Sequence, residues 1–257
     1  MSFTVTPIKT EVVKPGDNLE DFLLASIKSL PEKSILVVTS KIVALCENRV
    51  VKKKLGNRWE KQNLVKREAD FYLDPKASQY DLMLTIKDGT LAVNAGVDES
   101  NVDQAHYVLL PADSFASAQK IWQFCRQQFK VKELGVIISD SKTFPLKWGV
   151  IGTALAFCGF KGLKSQIGQP DIFGREMKMT QINVAEALAV AAVFNMGETN
   201  QTQPLAIISQ LPAIVEFTDL PPLKQEIDGW LIEPADDVYA QLLMSVNWLK
   251  GGRGNAQ

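Results

Sequence analysis

Leu134-Gly-Val-Ile-Ile-Ser-Asp-Ser141 is an apolar run that ends in an acid between two hydroxyl residues. Its short, β-branched composition predicts a buried strand over Leu134–Ile138. Ser34-Ile-Leu-Val-Val-Thr39 has the same character and predicts a second buried strand. An acid at the exit of a buried strand is either a turn residue or part of a functional site. The end of the Leu134–Ile138 strand is therefore one place where we expect chemistry.

Helix and turn signals surround these strands in an irregular order. They predict a helix capped by Asp17 and running to about Leu30, a strand over Asn48–Lys54, a solvated helix over Asn57–Ala69, a hairpin that turns at Lys87-Asp88-Gly89, a helix capped by Asp113, a central helix over Asn183–Met196 packed on several sides, a strand over Pro204–Ile208, and a helix that starts at Pro234 and stops at Gly251-Gly252. A mixed order favours an α+β fold, with mixed sheets and packed helices, over a doubly wound sheet. We expect a single domain over residues 1–250 and a frayed C-terminal tail over residues 251–257.

The composition argues against several classes of function. With 28 Lys and Arg against 29 Asp and Glu, the chain has no net field to gather nucleic acid or an anionic membrane. The three cysteines are far apart, and the one histidine, His106, gives little support to a catalytic triad or a zinc site. The sequence shows no signal peptide, no membrane span and no Walker or GxGxxG loop. We therefore expect a reduced, cytoplasmic protein with small-molecule substrates.

Two polar segments follow predicted strands and carry the oxygen ligands that hard cations prefer. Val93-Asn-Ala-Gly-Val-Asp-Glu-Ser-Asn101 comes just after the hairpin, and Val136–Ser141 ends the buried strand. Mg²⁺ and Mn²⁺ bind oxygens supplied by more than one part of a chain. Asp98 and Asp140 therefore predict a metal site suited to phosphate chemistry.

Five longer strings occur in one order along the chain. They are Thr39-Ser-Lys-Ile-Val43 with Glu47-Asn-Arg49, Asn94-Ala-Gly-Val-Asp-Glu-Ser-Asn-Val102, Val136–Ser141, Pro170-Asp-Ile-Phe-Gly-Arg-Glu176, and the run from Ala185 to Glu198 that ends in Asn-Met-Gly-Glu. In content and order, over roughly residues 5–210, they resemble the gamma-glutamyl ligase family of the deazaflavin coenzyme F420. The second string is long and distinctive, and it is the most specific part of the resemblance.

The resemblance implies the fold of that ligase family, assembled as an intertwined homodimer, and a GTP-dependent activity. Such an enzyme phosphorylates a carboxylate to an acyl phosphate, and the amine of L-glutamate then attacks the acyl phosphate to form an amide. The cofactors implied are two divalent ions, Mg²⁺ or Mn²⁺, with GTP as a co-substrate. Phosphoryl transfer depends mostly on positioning and charge neutralisation, which clustered acids and cations supply.

The resemblance also assigns the residues of the site, position by position. The implied metal ligands are Asp98, Asp140, Ser141 and Glu198, of which Asp98 and Asp140 are also the catalytic acids. The implied nucleotide contacts are Ser40, Lys41 and Asn101.

Departures from the family pattern leave the acceptor open. Two arginines that follow the Ser-Asp-Thr motif in the family are Phe144 and Lys147 here, and a nucleotide-side lysine is Leu45. Some bacterial relatives with a similar motif are thought to add glutamate to folates or pteroates. The acceptor is therefore either a deazaflavin or a folate-type carboxylate. A relative that binds a nucleotide or cofactor but has lost catalysis is the remaining alternative.

Four residues are candidates for contacts with the acceptor: Phe144, Lys147, Trp148 and Arg175. Phe144 and Trp148 lie close to Asp140 in the sequence and suit stacking on a flat heterocycle. Arg175 is equally well explained by a structural ion-pair turn with Asp171 and Glu176.

Overall fold

A computed structural model describes residues 2–78 and 80–254. Its strands are β1 (Thr4–Ile8), β2 (Ser34–Thr39), β3 (Val50–Lys52), β4 (Phe71–Tyr72), β5 (Leu84–Lys87), β6 (Thr90–Val93), β7 (His106–Val108), β8 (Leu134–Thr143), β9 (Val150–Cys158), β10 (Leu163–Ser165), β11 (Gln181–Asn183), β12 (Leu205–Ser209) and β13 (Leu249–Lys250). Its helices are α1 (Leu19–Ser26), α2 (Ser40–Cys46), α3 (Arg58–Glu68), α4 (Ser114–Phe129), α5 (Val184–Met196), α6 (Lys224–Trp230) and α7 (Ala240–Leu243). The fold is mixed α+β with several sheets, as predicted.

The central sheet has five strands in the order β1-β12-β2-β8-β9. β2 and β8 are parallel, and the other neighbouring pairs are antiparallel. Both predicted buried strands are confirmed, because the apolar side chains of Ile35–Val38 and Leu134–Ile138 are 0% exposed. β8 continues beyond the predicted end to Thr143, and its last residues leave the core.

Alternate residues of the central strands face two separate cores. Leu36 and Val38 pack with α1, α2 and α4, whereas Ile35 and Val37 pack with α5. This alternation follows from the two-residue period of a strand with helices on both faces. The sheet is thus a rigid middle layer whose strand ends hold their positions.

Within one chain, α5 packs on one side only and not on several sides as predicted. Ala185, Ala189 and Ala192 are fully buried against the sheet, but Val190 is 37% exposed and Phe194 is 87% exposed. The helix is apolar all round, yet only one face has the sheet to cover it. The opposite face is an exposed apolar surface.

A smaller four-stranded sheet, with the order β13-β4-β5-β6, carries the predicted hairpin. Asp88 and Gly89 have φ values of 50° and 71°, so the tight primed turn is confirmed. The helix predicted over Asn57–Ala69 is also confirmed as α3, which Asn57 caps. It is not wholly solvated, because Leu64 and Val65 are buried.

The predicted start and end of α1 are wrong. The capping side chain is Asn18, whose Oδ1 accepts a hydrogen bond from the backbone N–H of Asp21 at 3.0 Å. The Asp17 carboxylate instead accepts from the N–H of Lys14 at 2.7 Å. The helix ends at Ser26, four residues before the predicted end at Leu30.

The long helix predicted to begin at Pro234 does not form. Only the four-residue α7 is helical there, and Leu249–Lys250 pairs with β4 as β13. Val238 and Leu242, which set the apolar spacing, are 88% and 68% exposed. Without a surface to cover that spacing, the pattern does not produce a helix.

The chain is also ordered past the predicted boundary at residue 250. Gly251–Gly254 is hydrogen-bonded to the end of α3 and the residues after it, which a frayed tail would not be. Residues 255–257 lie outside the described residues. Among the described residues, no helix is both long enough and apolar enough to cross a membrane.

We predict that Gly159→Ala lowers the free energy of unfolding by at least about 2 kcal/mol. Gly159 has a φ of 78°, and a β-carbon there would lie 2.2 Å from both the Leu134 carbonyl oxygen and Trp122 Nε1. It would break the hydrogen bond that Trp122 donates to Leu134 at 2.8 Å. Urea unfolding checks the prediction.

Gly168→Ala is the matched control. Gly168 has a similar φ of 81°, but an added β-carbon meets nothing within 4 Å. Only backbone strain of about 1 kcal/mol is expected there. Equal losses for the two variants would show that the contact at Gly159 adds nothing.

Candidate active site

The parallel pairing of β2 and β8 brings Ser40 beside Asp140. Thr39 pairs with Ser139, so the residues that follow them are neighbours too. The β8–β9 ladder has a register shift between Ile138 and Ser139. Such bulges re-aim the side chains that follow them. The two predicted strand ends therefore meet at one edge of the sheet.

A left-handed turn over Asn94–Gly96 leads the chain to the same edge. Asn94 and Ala95 have φ values of 53° and 49°, which are uncommon for residues other than glycine. The N–H of Ala95 donates to Thr85 Oγ1 at 2.9 Å, which holds this strained residue in place. Two residues further on, Asp98 reaches Lys41 at the start of α2.

The Asp98 carboxylate is saturated with hydrogen bonds. Its Oδ2 accepts from Lys41 Nζ and from Ser100 Oγ, each at 2.6 Å. Its Oδ1 accepts from the backbone N–H groups of Glu99 at 2.6 Å and Ser100 at 3.0 Å. Burial raises the pKa of Asp98, but the Lys41 ammonium and the hydrogen bonds outweigh it and lower the pKa to about 2. The carboxylate is therefore ionised, and Lys41 balances its charge.

Asp140 has the opposite electrostatic environment. Burial raises the pKa of Asp140 to about 6, and the negative charge of Asp98 acts in the same direction. The Ser141 N–H, the Lys41 ammonium and the Ser40 hydroxyl offset only part of this rise. The two acids are thus close enough to affect each other, and their environments push their pKa values apart. Such paired perturbations are typical of functional sites.

Glu198 joins the same edge from the end of α5. The Ser141 hydroxyl lies 2.9 Å and 2.8 Å from the two oxygens of the Glu198 carboxylate and donates to it. Asn101 Nδ2 donates to the Thr199 carbonyl at 3.0 Å. The structure therefore brings together four segments, residues 40–41, 98–101, 140–141 and 198–199. All seven predicted metal and nucleotide residues lie in these segments.

The acids at this edge do not form a complete metal site by themselves, because both oxygens of Asp98 already accept hydrogen bonds from the chain. Among residues 2–78 and 80–254, no three His, Cys, Asp or Glu side chains lie close enough together to hold a metal ion. The acids come in smaller groups instead: Asp98 near Asp140, and Glu198 with the Ser141 hydroxyl. Mg²⁺ is usually held by one or two carboxylates together with substrate phosphates. The donors suit ions that bind jointly with a phosphate-bearing substrate.

A cleft of about 750 Å³ opens from Asp140 and Ser141. It is bounded by the β5–β6 hairpin, the outer ends of β8 and β9, the start of α4, and α6. Its apolar lining includes Leu84, Leu91, Val93, Leu110, Phe115, Phe144, Val150, Leu155, Ile227 and Leu231. Its charged lining is Lys87, Asp88, Asp113, Asp140, Lys142 and Arg253. Mostly apolar walls with a few polar groups are typical of small-molecule sites.

The structure brings one of the four predicted acceptor residues to this cleft. Phe144 lines it. Lys147 lies over the Phe144 ring with its Nζ 5.8 Å from the centroid, and Trp148 is 93% exposed; neither lines the cleft. Arg175 pairs with Asp171 at 3.0 Å, as in the ion-pair alternative.

Sequence reasoning gave no role to Lys142 and Glu186. Glu186 Oε1 accepts from Lys142 Nζ at 3.0 Å and from Thr153 Oγ1 at 2.9 Å. Its Oε2 accepts from the N–H of Ala154 at 3.1 Å. Glu186 thus fixes a lysine on the cleft wall close to Asp140. The available signal was an acid in the first turn of an apolar helix, which alone indicates a helix cap rather than a site.

A sequence comparison identifies the family of the chain. The model of the F420-0:gamma-glutamyl ligase family matches residues 7–210. The chain belongs to this family.

Several archaeal proteins named coenzyme F420:L-glutamate ligase are similar to the chain. The protein of Methanopyrus kandleri is 28% identical over 250 residues, which cover 91% of this chain and 96% of the relative. That of Methanococcus maripaludis is 32% identical over 217 residues, covering 78% and 85%. That of Archaeoglobus fulgidus is 28% identical over 223 residues, covering 82% and 89%.

We predict that Asp140→Asn stabilises the folded chain at pH 8 by about 1 to 3 kcal/mol in the presence of a chelator. Burial raises the pKa of Asp140 from 3.8 to about 6 on folding, so the folded state binds the proton more tightly. The wild type therefore loses stability as the pH rises from about 4 to 6, and the variant does not. Urea unfolding across this pH range measures the difference.

Asp98→Asn is the control with the opposite sign. The pKa of Asp98 falls from 3.8 to about 2 on folding. Its ionised form therefore stabilises the fold above about pH 4, and this contribution is lost as the pH falls towards 2. Asp98→Asn should destabilise at pH 8. A destabilised Asp140→Asn under the same conditions would contradict the assignment of a buried, costly charge.

Proposed function

We propose that the protein is a GTP- and divalent-metal-dependent ligase that adds L-glutamate to a carboxylate acceptor through an acyl phosphate. The observation that carries the proposal is the convergence of Asp98, Asp140, Lys41 and Glu198 at one sheet edge, at the mouth of an apolar cleft. Membership of the gamma-glutamyl ligase family supports it. The names of the archaeal relatives support glutamate as the amine.

The proposed reaction has two steps. In the first, an oxygen of the acceptor carboxylate forms a bond to the γ-phosphorus of GTP, and the bond from that phosphorus to the departing GDP oxygen breaks. In the second, the amine of glutamate forms a bond to the acyl carbon, phosphate leaves with the electron pair, and the nitrogen gives up a proton. Divalent ions held by Asp98, Asp140, Ser141 and Glu198 would supply charge neutralisation for the phosphates.

The residues of the chain prepare this chemistry electrostatically. Lys41 is already held 2.6 Å from Asp98, so a cation and an anion are both in place where phosphates would approach. Asp140, with a pKa of about 6, is largely ionised at neutral pH although it is half-buried, so a nearby cation is stabilised strongly. Preorganised charge of this kind needs little rearrangement during the reaction.

Two acceptor classes remain within this proposal. The names of the relatives favour a deazaflavin substrate. The folate or pteroate alternative is favoured by Phe144, which presents an aromatic ring to the cleft where the family pattern has an arginine. The intact hydrogen bonds of Asp98, Asn101 and Glu198 disfavour the alternative of lost catalysis.

We also propose that a second copy of the chain covers the exposed face of α5. Phe3, Val190 and Phe194 line a shallow groove of about 510 Å³ there. Exposed apolar surface of this kind marks interaction sites. A homodimer that buries it accords with the family resemblance.

We predict that Asp140→Asn lowers GTP-dependent phosphate release by roughly a hundredfold or more, because it removes a charge that holds a cation beside the phosphates. The assay contains GTP, Mn²⁺ and L-glutamate with a panel of deazaflavin, folate and pteroate acceptors. Asp219→Asn, an exposed acid paired with Arg126 at 2.8 Å, is the matched control and should keep the wild-type rate. Wild-type protein that releases no phosphate with any acceptor would reject the ligase proposal.

We predict that Phe144→Ala raises the acceptor KM by roughly tenfold, because it removes apolar surface from the cleft. The KM for GTP should stay the same. Trp148→Ala is the control, because Trp148 is an exposed aromatic residue outside the cleft. A parallel rise in both KM values for Phe144→Ala would make Phe144 a packing residue.

A further inference from the structure

The Gly251–Gly254 segment is built into the structure beside the cleft. The N–H of Gly251 donates to the Asp70 carbonyl at 2.8 Å, and that of Gly252 donates to the Lys66 carbonyl at 2.9 Å. The N–H of Arg253 donates to the Ala69 carbonyl at 3.2 Å. These carbonyls belong to the end of α3 and the residues just after it, so the segment satisfies acceptors that a helix end leaves free.

The surface of α3 that the Gly251–Gly254 segment contacts leaves no room for side chains at positions 251 and 252. A β-carbon on Gly251 would lie 2.0 Å from the Ala69 carbonyl oxygen, and one on Gly252 would lie 2.6 Å from that of Arg67. The sequence Gly-Gly-Arg-Gly therefore places the backbone tightly against α3 and presents a single side chain, that of Arg253.

Arg253 reaches the cleft and pairs there with the hairpin turn. Its Nη2 lies 3.0 Å from Asp88 Oδ1, and its Nη1 lies 3.5 Å from Asp88 Oδ2. The N–H of Asp88 donates to Asp70 Oδ2 at 2.6 Å, which fixes the turn. Arg253 and Asp88 both line the cleft, which Asp140 also lines.

The charges around this pair decide what it can bind. Lys87 and Arg253 are opposed by Asp88, Asp70 and Glu68, so an approaching phosphate or carboxylate would meet no excess of positive charge. The pair instead offers guanidinium donors beside carboxylate acceptors. The part of a ligand that complements this pair is neutral and carries hydrogen-bond donors and acceptors along one edge.

The apolar residues of the cleft suit a flat aromatic ring system. Leu91, Phe115 and Leu231 line the cleft, and its volume of about 750 Å³ is in the range of sites for cofactor-sized ligands. The family match ends at residue 210, yet residues after that point supply Ile227, Leu231 and Arg253 to the cleft. This wall therefore comes from outside the residues that the family model covers.

We propose that Arg253 is a specificity-determining residue of the acceptor cleft: with Asp88 it binds the edge of a flat heteroaromatic ring, while the carboxylate of the same acceptor lies near Asp140. This inference rests on the proposed function, because that function supplies the acceptor carboxylate that would lie near Asp140. It adds a residue that selects the ring of the acceptor.

Calorimetric titration of the full chain without GTP tests this inference. The ligands are coenzyme F420, folate, and 4-aminobenzoyl-L-glutamate, which keeps the carboxylate end of folate but lacks its pterin ring. Wild-type protein should bind at least one ring compound. Arg253→Ala should weaken that binding roughly ten- to hundredfold, the loss expected for hydrogen bonds to a charged group. Binding of 4-aminobenzoyl-L-glutamate should stay unchanged. Tighter binding of coenzyme F420 would indicate a deazaflavin acceptor, and tighter binding of folate would indicate a pterin acceptor.

Two further variants separate recognition from folding. Gly251→Ala keeps the arginine but disturbs its seat, so it should reproduce the loss of ring binding. Arg58→Ala removes an exposed arginine paired with Asp81 at 2.6 Å, away from the cleft, and should bind as wild type does. Circular dichroism melts check that each variant is folded.

The outcomes distinguish this inference from the proposed function. Full affinity of Arg253→Ala for the ring compound, an equal loss for both folate and its truncated form, or no binding of either ring compound by wild type would each overturn it. Ring binding that depends on Arg253, in a protein that releases no phosphate from GTP, would reject the ligase proposal and leave this inference standing.

Discussion

The in-register parallel pairing of β2 with β8 is the constraint on which the site depends. Because Thr39 lies opposite Ser139, the first residue of α2 and the exit of β8 are fixed side by side. The apolar residues of both strands are buried between two helical layers, so neither strand can shift by one residue without turning these side chains to the wrong face. The acids and the lysine at this edge are held by the sheet and not by loops alone.

That rigidity allows two similar carboxylates to behave differently. Asp98 is surrounded by donors and stays ionised in acid, whereas Asp140 is half-buried near a like charge and loses its proton less readily. Ionised Asp140 lowers the stability of the folded state, and the packing of the rest of the chain compensates for this loss. Sites of reaction commonly carry such a cost, and the gain is a strong interaction with whatever cation arrives.

The sequence predicted those parts of the fold whose signals are local. The strands at Ser34–Thr39 and Leu134–Ile138, the Asp88-Gly89 turn and the cap at Asp113 were all confirmed, because composition and turn chemistry determine them within a few residues. The helix expected from Pro234 failed because its apolar spacing had no surface to pack against. Whether such a surface exists depends on distant parts of the chain.

The sequence allowed prediction of those site residues that lie in recognisable strings near the ends of strands. Asp98, Asp140 and Glu198 were found through strings of residues, but their grouping into smaller sets with Lys41 and Ser141 is a property of the folded chain. The cleft was less accessible to prediction. Its lining comes from the hairpin, β8, β9, α4 and α6, and Arg253 lies in a glycine-rich stretch whose composition is typical of a flexible end.

The contribution of one cleft wall by the last part of the chain has a consequence for how the site can change. The cluster at the sheet edge lies within residues 7–210, while Ile227, Leu231 and Arg253 are contributed from beyond that range. Substitutions at these three positions alter the lining of the cleft and leave the hydrogen bonds of Asp98 and Glu198 in place. The size and polarity of this cleft wall can therefore vary separately from the charges at the sheet edge.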